Sequence, residues 1–170
     1  MRQLSTNDYK VASPYDTNHI KLFNDFESHN DSKYPITQYL IETRDKYSKE
    51  EYQKSKMLNN EIKNIVFTME KGKIKDYCML REERDIKLCE LIPSRLNKTV
   101  KNRNILDIAS DYAFNREGMQ TVYVSIEEDS DLYDQLINSG YTSLGQDENN
   151  PNKIILNKEK EDMIEMSKVM

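Results

Sequence analysis

The sequence predicts a mixed α+β domain, a twisted mixed sheet flanked by helices, and three observations predict it. Between Asn64 and Ile92, short segments rich in β-branched, aromatic and alternating apolar residues follow one another with only a few turn residues between them, the pattern of an antiparallel meander. Between Ile86 and Ile126, a strand pattern, an amphipathic helix pattern and a second strand pattern come in compact order, which calls for a right-handed crossover joining parallel strands. A last pair of short apolar segments flanks the polar run QDENNPN, as the arms of a hairpin do. A sheet that combines both kinds of pairing is mixed.

The elements are read in order as follows. Tyr9–Ala12 gives a brief first strand, and Pro14 and Asp16 a turn into a helix that Asp16 or Thr17 caps, with Ile20, Leu22, Phe23 and Phe26 on one face. Ser28–Lys33 is a polar break. From Pro35 onward, Ile36, Tyr39, Leu40, Thr43 and Tyr47 form a stripe; Ser48 followed by Glu51 is a capping box that divides the region into two helices or interrupts one. Asn64–Met69 is a strand, Lys71–Gly72 a turn and Lys73–Leu80 the next strand. REERD, Arg81–Asp85, is polar enough to be the exposed turn of a hairpin whose return arm is Ile86–Ile92, stopped by Pro93, which has no N–H to give.

Ile105, Ile108, Ala109, Tyr112 and Ala113 mark a helix over Ile105–Asn115 that Gly118 ends. Thr121–Ile126 is the following strand. Glu127, Glu128, Asp129 and Asp131 crowd the first turn of the next helix, where acidic charge is favourable, and Leu132, Leu136 and Ile137 are its buried side. Tyr141–Leu144 and Lys153–Leu156 form the final hairpin. Residues 1–158 are expected to be one domain and 159–170 a tail or short helix.

Composition narrows the function. Charged residues make up 32% of 170 residues and hydrophobic ones 36%, a foldable balance, and four glycines and four prolines are too few for a linker protein. A net charge of -5 and the lack of aromatic interleaving in the lysine-rich loops argue against nucleic acid as a partner. Cys78 and Cys89 lie far in sequence from His19 and His29, so no zinc spacing exists; two buried thiols on adjacent strands of a reducing-compartment protein is the expected arrangement. No stretch is apolar enough to span a bilayer, and MRQLSTNDYK lacks the apolar core of a signal peptide, so no membrane partner and a cytoplasmic location are expected.

Asp85–Met119 is the stretch with the most chemical content. A strand, an abrupt proline, a loop holding Ser94, Arg95, Asn97, Lys98, Lys101 and Arg103, and then a helix start follow one another closely. The free N–H groups of such a helix start point at whatever anion lies before them.

With those elements in hand, the chain resembles a GCN5-related N-acetyltransferase (GNAT). NIVFTMEKGKIKDYCML followed by DIKLCELIP resembles that family's three-strand meander, ILDIASDYAFNREGMQTVYVSI its central helix and following strand, and LYDQLINSGYTSLG the later helix ending in Gly–aromatic. The resemblance implies an acyl-CoA N-acyltransferase fold with acetyl-coenzyme A (acetyl-CoA) lying in a splay between the fourth and fifth strands. Ile92 and Ser94 would border its pantetheine arm. Lys98–Asn104, KTVKNRN, occupies the place of the phosphate loop and contains no glycine, which makes it a degenerate loop: Lys98, Lys101, Asn102, Arg103 and Asn104 would meet the phosphates, with Lys98, Lys101 and Arg103 supplying charge-assisted bonds. The alternative is a solvated basic turn that binds no coenzyme.

The resemblance also implies roles. Glu90, charged in the middle of CELIP, would take the amine proton as general base, or else face solvent or a lysine. The family's tyrosine acid falls on Leu136; Tyr133, one turn earlier, would protonate the thiolate instead, or pack as a core tyrosine. Asp129 stands where an asparagine often lies near the coenzyme, or caps a helix. Tyr39, Glu42 and Tyr47 fall in the variable substrate lid, whose polar helices could equally form a homodimer face. The function implied is transfer of acetyl to a small-molecule or protein amine, with a catalytically degenerate binding or regulatory protein as the alternative reading.

Overall fold

The computed structural model describes residues 9–29, 35–56, 60–94 and 101–161, with the side chains of 101–104 left aside. Its elements are β1 (Lys10–Val11), α1 (Thr17–His29), α2 (Ile36–Lys46), α3 (Lys49–Ser55), β2 (Asn64–Glu70), β3 (Lys73–Glu83), β4 (Leu88–Pro93), α4 (Lys101–Asn115), β5 (Thr121–Glu127), α5 (Leu132–Asn138), β6 (Thr142–Asp147) and β7 (Asn150–Glu159). The strands form one sheet in the order β1-β2-β3-β4-β5-β7-β6, antiparallel throughout except for the parallel β4–β5 pair. The meander and the crossover expected from the sequence are both present, so the sheet is mixed.

Alternation along the strands sorts the core into two layers. Cys78, Leu80, Cys89, Leu91, Val122 and Val124 point to the face covered by α4 and α5, where Leu106, Ala109, Leu132 and Leu136 meet them. Ile65, Phe67, Tyr77 and Met79 point to the other face, under α1 and α2. There Phe23 meets Phe67 and Tyr77 edge-on at 5.3 and 5.5 Å, and Phe26 meets Tyr77 at 5.6 Å, separations in the range where aromatic pairs are favourable. Both thiols are free and buried on adjacent strands, and burial pushes each well above the ordinary thiol range.

Local chemistry sets the helix ends. Asp16 Oδ1 accepts the N–H groups of Asn18 and His19 at 2.9 and 3.2 Å, which settles the cap of α1. Ser48 separates α2 from α3 through a reciprocal capping box: its Oγ accepts from Glu51 N–H at 3.1 Å and Glu51 Oε1 accepts from Ser48 N–H at 3.4 Å. A seven-residue helix depends on such a start. Ser48→Ala is therefore expected to cost about 1 kcal/mol of stability, measured as a lowered urea midpoint at unchanged slope. Gly118, at φ 70°, closes α4 as Met119 N–H returns to Ala113 O at 2.9 Å.

Several boundaries differ from the sequence reading. Arg81–Glu83 are the end of β3, not a turn, and Glu82 is buried because alternation directs it inward. Ile86 lies in the turn with 59% of its surface exposed, and β4 begins at Leu88. Lys101–Asn104 are the first turn of α4 rather than loop. Glu127 closes β5 and Glu128 and Asp129 form a turn; Asp131 precedes α5 without a side-chain cap, while Ser130 Oγ accepts Leu132 N–H at 3.1 Å. Ile137 is on the exposed side of α5. The last hairpin is longer than expected, with only Glu148 and Asn149 between its strands. No helix among the described residues is long and apolar enough to cross a membrane.

Candidate active site

The parallel ladder between β4 and β5 covers only Leu88–Thr121, Cys89–Val122 and Glu90–Tyr123. Past that row the two strands keep different company: β4 continues to Pro93 on β3, and β5 continues to Glu127 on β7. Their facing edges are not paired with each other beyond Glu90 and Tyr123, so the sheet splays. An extended ligand that carries amides can meet unpaired strand edges as an added strand would. A cavity of about 540 Å³ opens at this splay, beside α1 and α2 on their face of the sheet. That volume suits a small molecule.

Glu90 stands on the last paired row, at the apex of the splay, and its side chain lines the cavity. Arg81 is its cross-strand partner on β3, and Arg81 Nη1 lies 3.1 Å from Glu90 Oε1. The glutamate side chain is 22% exposed and the arginine 51%, so the pair orients the carboxylate more than it stabilises the fold. Tyr123 is opposite Glu90 on β5; burial first, and the Glu90 carboxylate second, push its phenol up to about 12. Ile92 and Ser94 follow along the same wall. Ser94 is fixed on β3 twice, donating its N–H to Tyr77 O at 2.8 Å and accepting Tyr77 N–H on Oγ at 3.1 Å.

The far wall comes from the end of the chain. The β6–β7 ladder jumps from Gln146–Ile154 to Asp147–Asn150, a bulge that bends the hairpin. Asp147 thereby reaches across β7: its Oδ2 accepts from Ser125 Oγ on β5 at 3.2 Å, and its Oδ1 accepts Asn149 N–H at 2.9 Å. Lys153 and Ile155 of β7 complete this wall.

The structure thus brings Glu90, Ile92 and Ser94 together. Lys98 lies outside the described residues. Lys101, Asn102, Arg103 and Asn104 form the helical turn that leaves N–H groups without intrahelical partners. Asp129 is exposed in the turn after β5, and Tyr133 packs partly buried against the core under α4; neither is among the residues that line the cavity. Tyr39 and Tyr47 serve the scaffold. Tyr39 Oη takes Lys63 N–H at 2.7 Å and donates to Lys63 O at 3.2 Å, and Tyr47 O accepts from Tyr15 Oη at 2.7 Å. The sequence reading missed Arg81, Tyr123, Ser125, Asp147 and Lys153 as cavity residues. A period-two signal was present for Arg81 after Tyr77 and Met79, and for Tyr123 and Ser125 between buried valines; nothing in the sequence signals the bend that delivers Asp147.

No family model matches the chain, and no curated protein of similar sequence was found. Solved structures do match. A ribosomal-protein-S5-alanine acetyltransferase from Vibrio fischeri is 13% identical with a TM-score of 0.59, covering 94% of this chain and 97% of its own. A mutant spermidine N-acetyltransferase from Vibrio cholerae is 14% identical with a TM-score of 0.56, over 89% and 94%. An aminoglycoside 6'-acetyltransferase type Ii is 15% identical with a TM-score of 0.53, over 88% and 96%. Identities this low speak for architecture alone, and with the splayed mixed sheet they give this chain the acyl-CoA N-acyltransferase fold of the GCN5-related acetyltransferases.

Proposed function

We propose that the chain is an acetyl-CoA-dependent N-acetyltransferase acting on a small-molecule or protein amine. The observation that carries this reading is the splay of β4 from β5 at Glu90–Tyr123, opening on a cavity with a carboxylate at its apex. Unpaired strand edges suit the amides of a pantetheine arm beside Ile92 and Ser94. The first turn of α4, Lys101–Asn104, with Lys98 before it, supplies N–H groups and cationic residues for the phosphates in place of the missing glycines, and Asp129 is kept near the coenzyme by the resemblance.

The coenzyme, when bound, supplies the thioester. With the coenzyme bound, Glu90 would accept the proton from the amine nitrogen, directly or through a water, and Arg81 holds that carboxylate in place. Tyr133, one helical turn before the position that the resemblance gives to the acid and outside the cavity lining, would be the residue to protonate the departing thiolate. The products are an N-acetylated amine and a free thiol, so atoms and charge balance.

The second reading, a binding or regulatory protein without catalysis, is favoured by one specific feature: the position of the family's tyrosine acid holds Leu136, which is fully buried in the core. Calorimetry and turnover separate the two readings. Saturable acetyl-CoA binding together with release of free thiol in the presence of amines is expected; binding without turnover, or no saturable heat at millimolar coenzyme, would end the transferase reading and leave the binding or regulatory one.

A further inference from the structure

The proposed transfer leaves open what shapes the acceptor half of the cavity, and the end of the β6–β7 hairpin speaks to it. Gly145 faces Ile155 and Gln146 faces Ile154 in regular register. One more step would set Asp147 opposite Lys153, whose partner on β5 is Glu127. Asp147 instead pairs with Asn150, and Pro151, Asn152 and Lys153 face no residue of β6. Asn152 and Lys153 stay with β5, where Lys153 faces Glu127 and Asn152 O accepts Glu128 N–H at 3.0 Å. The ladder therefore does not fix where the tip, residues 147–150, lies. The Asp147 carboxylate ties it down. Its Oδ2 accepts from Ser125 Oγ at 3.2 Å, and Ser125 stands in the row of Ile155 and Gly145, two residues short of Glu127. Asp147 is thus held about 7 Å back along β5 from the row that a straight hairpin would give it. Its Oδ1 accepts Asn149 N–H at 2.9 Å, so the same side chain also holds the turn.

We propose that Ser125 and Asp147 are positioning residues that act as one latch, holding the hairpin tip as the end wall of the acceptor half and so limiting the length of acceptor that fits. The tip stands where an end wall has to be. Asp147, Asn149 and Asn150 line the cavity from it, and Ser125 lies two residues, about 7 Å, along β5 from Tyr123, the partner of Glu90. An acceptor whose amine is at Glu90 extends from the apex toward that wall. One half-buried bond between a hydroxyl and a carboxylate adds little to the fold as a whole. Selectivity is different, because rejecting an oversized acceptor needs a wall that does not yield.

The latch rests on the transferase reading, and the test keeps the two apart. Unbranched primary amines from n-propylamine to n-octylamine serve as a ruler, assayed by thiol release from acetyl-CoA, with acetyl-CoA affinity by calorimetry as the control. The wild-type kcat/KM is expected to rise with chain length and then to drop by about tenfold where the chain meets the wall. Ser125→Ala should remove that drop, mainly by lowering KM for the longer amines. Ser125→Thr, which keeps a hydroxyl for Asp147, should restore it. Asp147→Ala should act as Ser125→Ala does, and the double variant should match either single one, because all three remove the same bond. A wild-type profile without a drop, a drop that persists in Ser125→Ala, or additive effects in the double variant overturns the latch and leaves the transferase reading standing. No thiol release with any amine overturns the transferase reading and the latch with it.

Discussion

Glu90→Gln is expected to lower kcat/KM for acetyl transfer by about 10²–10⁴-fold, the range for removing a positioned general base. The substitution is chosen because little else should change. Glutamine keeps the length of the side chain and an oxygen facing Arg81 across the β3–β4 pair, and the ion pair it replaces is half in solvent, so the fold loses little. Coenzyme affinity should be unaltered, because Ile92, Ser94 and the start of α4 are untouched. What disappears is the group able to take a proton at the apex of the splay. The measurement is kcat/KM for both proteins at one pH with acetyl-CoA affinity as the control. A variant with full turnover would remove Glu90 from the chemistry.

How much of this site could be read in the sequence depends on what kind of information each residue carries. Period-two and helical patterns report which side of an element is buried, and they located the meander, α4 and β5 because Ile65, Phe67, Ile108, Val122 and Val124 pack as their spacing says. They also placed Glu90 beside Ile92 on one face. Boundaries were lost where polarity and alternation disagree. Arg81, Glu82 and Glu83 look like turn by composition, yet β3 runs through them because the backbone bonds of a ladder do not depend on side-chain polarity. Lys101–Asn104 look like loop for the same reason, although nothing in those residues breaks a helix. Asp147 was beyond reach altogether. Its place on Ser125 follows from a bulge between two strands, a relation between distant residues that no local pattern encodes.

The misread Glu82 has the second large consequence: stability is expected to fall as pH rises from about 4.5 towards about 7. Only 2% of Glu82 is exposed, and Asn64 Nδ2 donates to both Glu82 Oε1 and Glu117 Oε1, at 2.8 and 2.6 Å, so two carboxyl groups share one donor in the interior. Arg84 Nε lies 3.4 Å from Glu82 Oε2, and Cys89, opposite Glu82 on β4, Tyr52 and Tyr112 are further ionisable groups set around the cluster. Burial is the largest influence on Glu82; the Asn64 bond and Arg84 favour its charged form and Glu117 opposes it, and the sum pushes its carboxyl up from 4.5 to about 7. A carboxyl raised in the folded state binds its proton there more tightly than in the unfolded chain. Its contribution is therefore complete below the unfolded value, shrinks through the interval, and is gone above the folded value. The full interval corresponds to roughly 3 kcal/mol. Glu82→Gln removes the titration while its amide oxygen still accepts from Asn64 and its amide nitrogen can donate to Glu117. Urea unfolding of both proteins at several pH values between 5 and 8 should show the variant gaining steadily on the wild type as pH rises; a difference that stays constant would mean Glu82 is ionised throughout and held by Arg84. The same inward turn of β3 that hid this residue from a reading by polarity is what takes its charge out of water, so one member of a run of five polar residues becomes a pH-sensitive part of the core.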